Sequence, residues 1–343
     1  MLLISRRAVL AGTAAIAAGP VTGAFAQTKT IPLTISSSHP LTIPWVEPLK
    51  TVIVDQSNRK LEAMGSPNRI EWTEAFGGSL YGFNDTLESV TQQLTDMGWI
   101  GALWEPSALP LQNIMYSTPF ATSTVRQAVD VMNELNQKNA AMKAEWDRQN
   151  IVFFGCCVSD GYHLFTKKPI ESLADLKGLK ILGAPVCAPW IEPLGATLVG
   201  TGLPAQYSQL QTGVGDGSIL IATGAYPLKI HEVAPYVTLT NHIYSPTPIA
   251  VSERTWQKLP EADRKLIAQA AAEVTPYMRK LIRENEDRLL ADMQAHGATV
   301  NRSPDIAAFR KAVEPVYAKA REKYGADAET VFAEMAAVRA GGQ

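Results

Sequence analysis

From Pro260 to His296 the chain carries one uninterrupted helical pattern of 37 residues. Leu266, Ala270, Val274, Met278, Leu281, Leu289 and Met293 recur on one side of it. Glu261 and Asp263 sit in the first turn, where the helix dipole favours acids, and Gly297 is a natural stop. At 1.5 Å per residue such a helix runs about 55 Å, longer than one lobe of a small domain. In a two-lobed chain a helix that long would have to lie along both lobes. Pro276 removes one backbone hydrogen bond and predicts a bend.

The rest of the chain alternates between strand and helix patterns. Ile31–Ser36, Arg69–Ala75, Met97–Leu103, Ile151–Val158, Lys180–Leu182, Ser218–Ala222, Val237–Thr240 and Thr247–Val251 read as strands. Helices are predicted over Trp45–Met64, after a cap at Asn84 or Asp85, and from the Thr124/Gln127 capping box to Trp146. This alternation implies α/β architecture with mostly parallel sheets. A length of 343 residues corresponds to roughly two domains. Gly213–Gly217 (GVGDG) reads as a turn before a strand, and Glu284-Asn285-Glu286-Asp287 as a solvated helix face.

The first 26 residues read as a leader. Arg6 and Arg7 precede an apolar run, Ala24-Phe25-Ala26 fits a cleavage site, and Ser5-Arg6-Arg7 resembles a twin-arginine signal. The apolar run is too short to span about 30 Å of hydrocarbon. Export to a bacterial periplasm with cleavage near Ala26 is the expectation. Losing two arginines and no acid moves the net charge from −2 to −4, which excludes a nucleic-acid partner. Three cysteines cannot form a disulfide framework; Cys156, Cys157 and Cys187 read as buried small hydrophobes.

No catalytic or metal-binding spacing stands out, and no cofactor is implied. The five histidines have no ligand spacing, and Cys157, Asp160 and His163 are neighbours in sequence, unlike the spatially assembled members of a triad. Aromatic residues carry more information. Trp45, Trp99, Trp104, Trp190, Tyr162 and Tyr226 fall near strand ends or helix starts, where open α/β sheets bind ligands.

Several segments together resemble one family. Ser172–Ile181 (SLADLKGLKI), Tyr207–Gly217 (YSQLQTGVGDG), Glu232-Val233, Thr240-Asn241-His242, Trp256–Pro260 (WQKLP) and Ser117–Phe120 (STPF) follow its order and spacing. The chain resembles the DctP-like solute-binding subunits of tripartite ATP-independent periplasmic (TRAP) transporters from about residue 31 to 320. The resemblance implies an α/β clamshell of two lobes with mixed sheets and the long helix spanning both. Lobe I would comprise 27–158 plus 246–285, and lobe II 159–245 plus 286–320. Residues 321–343 would form a C-terminal helix or tail. The implied partners are a small organic solute and the cognate membrane permease subunits; the chain would be a monomer and not an enzyme.

Departures from that family shape the expected site. Relatives place a carboxylate-gripping arginine where this chain has Leu182, a second one at Tyr162, and an asparagine at Leu220. The Glu-Trp pair of metal-containing relatives falls at Ile219-Leu220, so no metal is expected. The expected ligand-binding residues are Ser38, His39, Trp45, Trp99, Gly101, Tyr162, Leu182 and Leu220. A pocket so built favours an aromatic, weakly polar, amine or alcohol ligand over a simple dicarboxylate. Two alternatives stand beside it. One is an organic-acid site with a relocated arginine, such as Arg126, Arg148 or Arg254; the other is a periplasmic hydrolase on a similar scaffold.

Overall fold

The computed structural model describes residues 29–341, so the leader and its cleavage site lie outside the described residues. Among the described residues ten strands form one connected sheet. They are β1 (Thr30–Ser36), β2 (Arg69–Ala75), β3 (Met97–Trp99), β4 (Ile151–Thr166), β5 (Lys180–Gly183), β6 (Thr197–Gly200), β7 (Gly217–Ile221), β8 (Tyr236–Thr238), β9 (Tyr244–Ser252) and β10 (Thr299–Asn301). Their order is β2-β1-β3-β9-β4-β7-β5-β6, with β8 on β4 and β10 on β8.

The sheet is mixed rather than mostly parallel. β1 pairs in parallel with β2 and β3, β5 with β6 and β7, and β8 with β10. Every antiparallel pair involves β4 or β9. β4 pairs with β9 in one half of the sheet and with β7 and β8 in the other, which the helix-strand alternation could not reveal. β4 extends 16 residues, well past the expected end at Val158. Register shifts between Phe153 and Gly155, and between Val158 and Gly161, let it bend from one half into the other.

The polar Ser159-Asp160-Gly161 segment lies past the expected strand end, yet remains strand because distant groups satisfy it. Ser245 N–H donates to Ser159 Oγ at 3.0 Å, and Thr223 N–H to Asp160 Oδ2 at 2.8 Å. Gly161 N–H donates to Glu286 Oε1 at 3.1 Å.

The long helical pattern resolves into two helices, Glu261–Ala272 and Val274–Ala295. They meet at Glu273 rather than bending at Pro276. Pro276 has no N–H for the Ala272 carbonyl, so the break falls one turn ahead of it. The second helix still spans both halves. Its Val274, Met278 and Ile282 join a core with Ile35, Ile53 and Met132, while Leu289, Leu290 and Met293 join another with Phe165 and Val237.

Two other helices are shorter than their patterns. The Trp45–Met64 segment becomes helical only after Trp45, with a π-helical stretch Leu49–Val54 leading into Asp55–Ala63. Pro44 and Pro48 bring no N–H donors to its start. The Thr124–Trp146 pattern splits at Asn139 into Val125–Lys138 and Ala140–Arg148. Thr124 Oγ1 accepts from Gln127 N–H at 3.1 Å as expected, and Asn139 Oδ1 caps the second helix through Met142 N–H at 3.0 Å.

Gly213–Asp216 is the expected turn, and Gly217 opens β7. A Cβ on Gly217 would stand 2.7 Å from the Phe165 carbonyl oxygen, so only glycine fits this strand crossing. All three cysteines are free and buried. Among the described residues no helix is long and apolar enough to cross a membrane.

Candidate functional site

β1 and β3 are neighbours, and the chain leaves the sheet at the carboxyl ends of both. After β1 the chain turns sharply: His39 N–H donates to Ser37 Oγ at 3.0 Å, and Gly77 N–H to the His39 carbonyl at 3.0 Å. Ser38 Oγ lies 3.1 Å from His39 Nδ1. The imidazole is thereby presented to Trp99 at the end of β3. Their centroids are 4.5 Å apart at 79°, and Phe83 lies 4.4 Å from the same imidazole. Trp45 completes the inner side, 6.2 Å from His39. Trp104 stacks on Phe83 at 5.9 Å and 16°, and meets Trp99 edge-on at 6.0 Å.

These five rings form a layer with a buried base and an open face. Trp45 and Trp99 are 8% and 3% exposed, whereas Phe83 and Trp104 are 50% and 43% exposed. The Nε1 atoms of Trp45 and Trp99 are buried and have no hydrogen-bond partner among the described residues. An unpaired buried N–H costs about 1–3 kcal/mol, so two together form an unmet demand for acceptors. Burial lowers the His39 pKa to about 4, leaving the ring neutral at pH 7.

Gly101 sits beneath Trp104, with its N–H on Thr86 Oγ1 at 2.8 Å. Of the expected residues, Ser38, His39, Trp45, Trp99 and Gly101 thus come together. Phe83 was missed, although the aromatic pair Tyr81 and Phe83 just after Gly77-Gly78 was a readable signal.

The other three expected residues lie elsewhere. Tyr162, half-buried on β4, meets Trp190 edge-on at 5.4 Å, and Trp190 stacks on Tyr116 at 6.1 Å. Burial pushes the Tyr162 phenol well above its ordinary pKa. Leu182 and Leu220 are buried core residues, packed with Phe165, Leu210 and Ile230. Strand alternation puts their neighbours Ile181 and Ile219 in the Trp190 cluster instead. Leu103, just beyond β3, also packs against the Trp190 cluster, bringing the first half's loops to the second half.

A polar group occupies the bend of β4. Asp160 is 1% exposed, and its Oδ1 has no partner among the described residues. Burial, and then the nearby Glu286, push its pKa up to about 6. Glu286 also lies 2.8 Å from His163 Nε2, and Asn285 Nδ2 donates to Thr223 Oγ1 at 3.0 Å. The Glu284–Asp287 run is therefore not simply a solvated face. Its Glu286 is 13% exposed because the bend of β4 offers it two donors.

Arg126 does not reach the rings. It lines a groove of about 590 Å³ with Arg279, Arg283 and Arg302, and this groove shares no residue with the ring group. Arg254 lines a separate groove with Gln93 and Asn150.

Comparison with solved structures defines the class. A TRAP periplasmic solute-binding protein of Citrobacter koseri, in an open form without ligand, superposes with a TM-score of 0.72 at 26% identity. The match covers 91% of this chain and 100% of that one. A second, from Desulfovibrio salexigens, gives 0.76 at 22% identity over 90% and 95% of the two chains. The fold is that of the two-lobed TRAP periplasmic binding proteins. The chain belongs to the bacterial extracellular solute-binding proteins, family 7 (DctP), whose profile matches residues 62–323.

Among curated relatives, a solute-binding protein of Chromohalobacter salexigens is 27% identical over 216 residues, 61% of this chain and 62% of that protein. The sialic acid-binding periplasmic protein SiaP of Vibrio cholerae is 29% identical over 154 residues, 44% and 48% of the two. The chain spans about half to three-fifths of the length of these relatives, 48% and 62%.

Proposed function

We propose that this chain captures a small organic solute outside the cytoplasm and delivers it to the membrane permease of a TRAP transporter, without altering it chemically. One observation carries the ligand side of this reading. Five rings, one of them a neutral imidazole, pack together beyond the ends of β1 and β3, and the two buried indole N–H groups among them lack acceptors among the described residues. Such a site holds a flat or compact molecule by ring contact and gives hydrogen bonds to its oxygens. A dicarboxylate has no guanidinium to meet there.

The leader would bring the chain to the periplasm and be removed near Ala26. The lobes would hinge where β4 bends, closing the ring group of one against the Tyr162 face of the other.

A second reading has its own support. Solved neighbours from Citrobacter koseri and Chromohalobacter salexigens carry bound D-glucuronate, and one from Sulfitobacter carries β-D-galacturonate. An acidic sugar would stack well on Trp104 and Phe83, but its carboxylate would need a cation from beyond the ring group. The relatives named above are binding proteins, which leaves the hydrolase alternative without support.

Thermal shift of the mature chain separates the readings. A ligand at 100 times its Kd stabilises by about 2.7 kcal/mol. The panel is aromatic acids and alcohols, ethanolamine, glucuronate, galacturonate, succinate and sialate. Stabilisation by an aromatic compound or by ethanolamine supports the ring-held ligand. Stabilisation by uronates alone refutes it in favour of the second reading, and no shift with any compound counts against solute capture itself.

A further inference from the structure

The segments that carry the two exposed rings also carry acids. Asp85 follows Phe83 by two residues, Glu105 follows Trp104 directly, and Glu88 lies in the first turn of the helix Thr86–Thr91. Asp85 and Glu88 are exposed and Glu105 is half-buried. The three are close enough that Glu88 and Asp85 hold the Glu105 carboxyl above its usual range, after the larger effect of its own burial. None of them takes part in an ion pair of the described residues. Carboxylates massed without counterions repel one another and any anion brought among them.

The rings answer the same charge. Aromatic faces carry negative potential, and a cation within about 6 Å of a centroid is attracted to them, most strongly by tryptophan. Phe83 and Trp104 leave about half of their surfaces open, 50% and 43%, and Asp85 and Glu105 follow them within two residues in the chain. Deeper in, the Trp45 and Trp99 N–H groups still require an oxygen. A purely cationic ligand would leave them unpaired, and a purely anionic one would face three acids.

We infer that the ring group takes a small organic ammonium ion that also bears an oxygen acceptor. The ammonium lies against the open faces of Phe83 and Trp104 under the acidic rim. Its hydroxyl or carboxylate oxygen reaches the indole N–H groups. This rests on the solute-capture reading above and narrows its ligand class.

Isothermal titration of the mature chain, at low and high salt, tests it. The probes are choline, ethanolamine, glucuronate and the uncharged carbon isostere of choline, in which a tert-butyl group replaces the trimethylammonium. Choline or ethanolamine should bind, and choline at least about tenfold more tightly than its isostere. Glu105→Gln and Asp85→Asn should weaken choline binding and flatten its salt dependence. Trp104→Ala, at an exposed position, should weaken it by about tenfold or more. Equal binding of choline and its isostere would overturn the inference. So would the absence of binding by either ammonium probe. If glucuronate or an uncharged compound then binds, only the ammonium class is lost and solute capture stands.

Discussion

Gly101→Ala is the sharpest test of the ring arrangement. The backbone there (φ −81°, ψ 71°) accepts an alanine. The added Cβ would stand 2.5 Å and 2.8 Å from two ring carbons of Trp104, and 3.3 Å from Thr86 Oγ1. Trp104 is 43% exposed, so its indole can yield by swinging outward. That movement abandons the stack on Phe83 at 5.9 Å and the edge contact with Trp99 at 6.0 Å. Two aromatic pairs at roughly 0.5–1.5 kcal/mol each give a loss of about 1–3 kcal/mol. The variant regains about 0.4–1 kcal/mol because alanine restricts the unfolded chain more than glycine. The expected net is a destabilisation of about 1 kcal/mol, read by urea unfolding, with a rise in acrylamide quenching of tryptophan emission. Choline binding should weaken in parallel. Unchanged stability and unchanged quenching would show that Trp104 does not cover Gly101, and the ring geometry would fail.

Asp160→Asn should stabilise the protein at neutral pH. The folded carboxyl titrates near 6 against an ordinary 3.8, so between these values the folded state holds the extra proton and stability falls as pH rises. A shift of about two units is worth up to roughly 3 kcal/mol, and wild type and variant should converge below the lower value. Urea melts at acid and neutral pH that differ equally for both proteins would contradict this. Asn133→Leu should cost about 2–4 kcal/mol in the same assay, because Asn133 both accepts from Cys156 N–H at 2.8 Å and donates to its carbonyl at 2.7 Å. Small-angle scattering should show a smaller radius with saturating ligand, and an unchanged profile would argue against hinge closure at the β4 bend.

Much of this protein is legible in its residues because the relevant patterns are local. Alternation along Ile31–Ser36 and Arg69–Ala75 marks β1 and β2, and the apolar stripe from Val274 to Met293 marks the long helix, since burial of one face follows the backbone period. Family motifs and tryptophans near strand ends pointed to the fold and to five of the eight expected site residues that come together. What the sequence leaves open are features made by residues far apart. Ser159-Asp160-Gly161 is too polar to read as strand. It stays one because Thr223, 63 positions away from Asp160, and Glu286, 125 positions away from Gly161, supply its hydrogen bonds. The antiparallel pairing of β4 with β7 and β8 follows from that continuation. Whether Leu182 and Leu220 line a cleft or fill a core depends on which face of the sheet meets Phe165 and Ile230, which no local period states. Phe83 meets His39, and Trp104 meets Phe83 and Trp99, where β1 and β3 end side by side. Periodicity is fixed by covalent geometry within a few residues, whereas the site and the hinge are fixed by which distant groups can satisfy one another once both cores have formed.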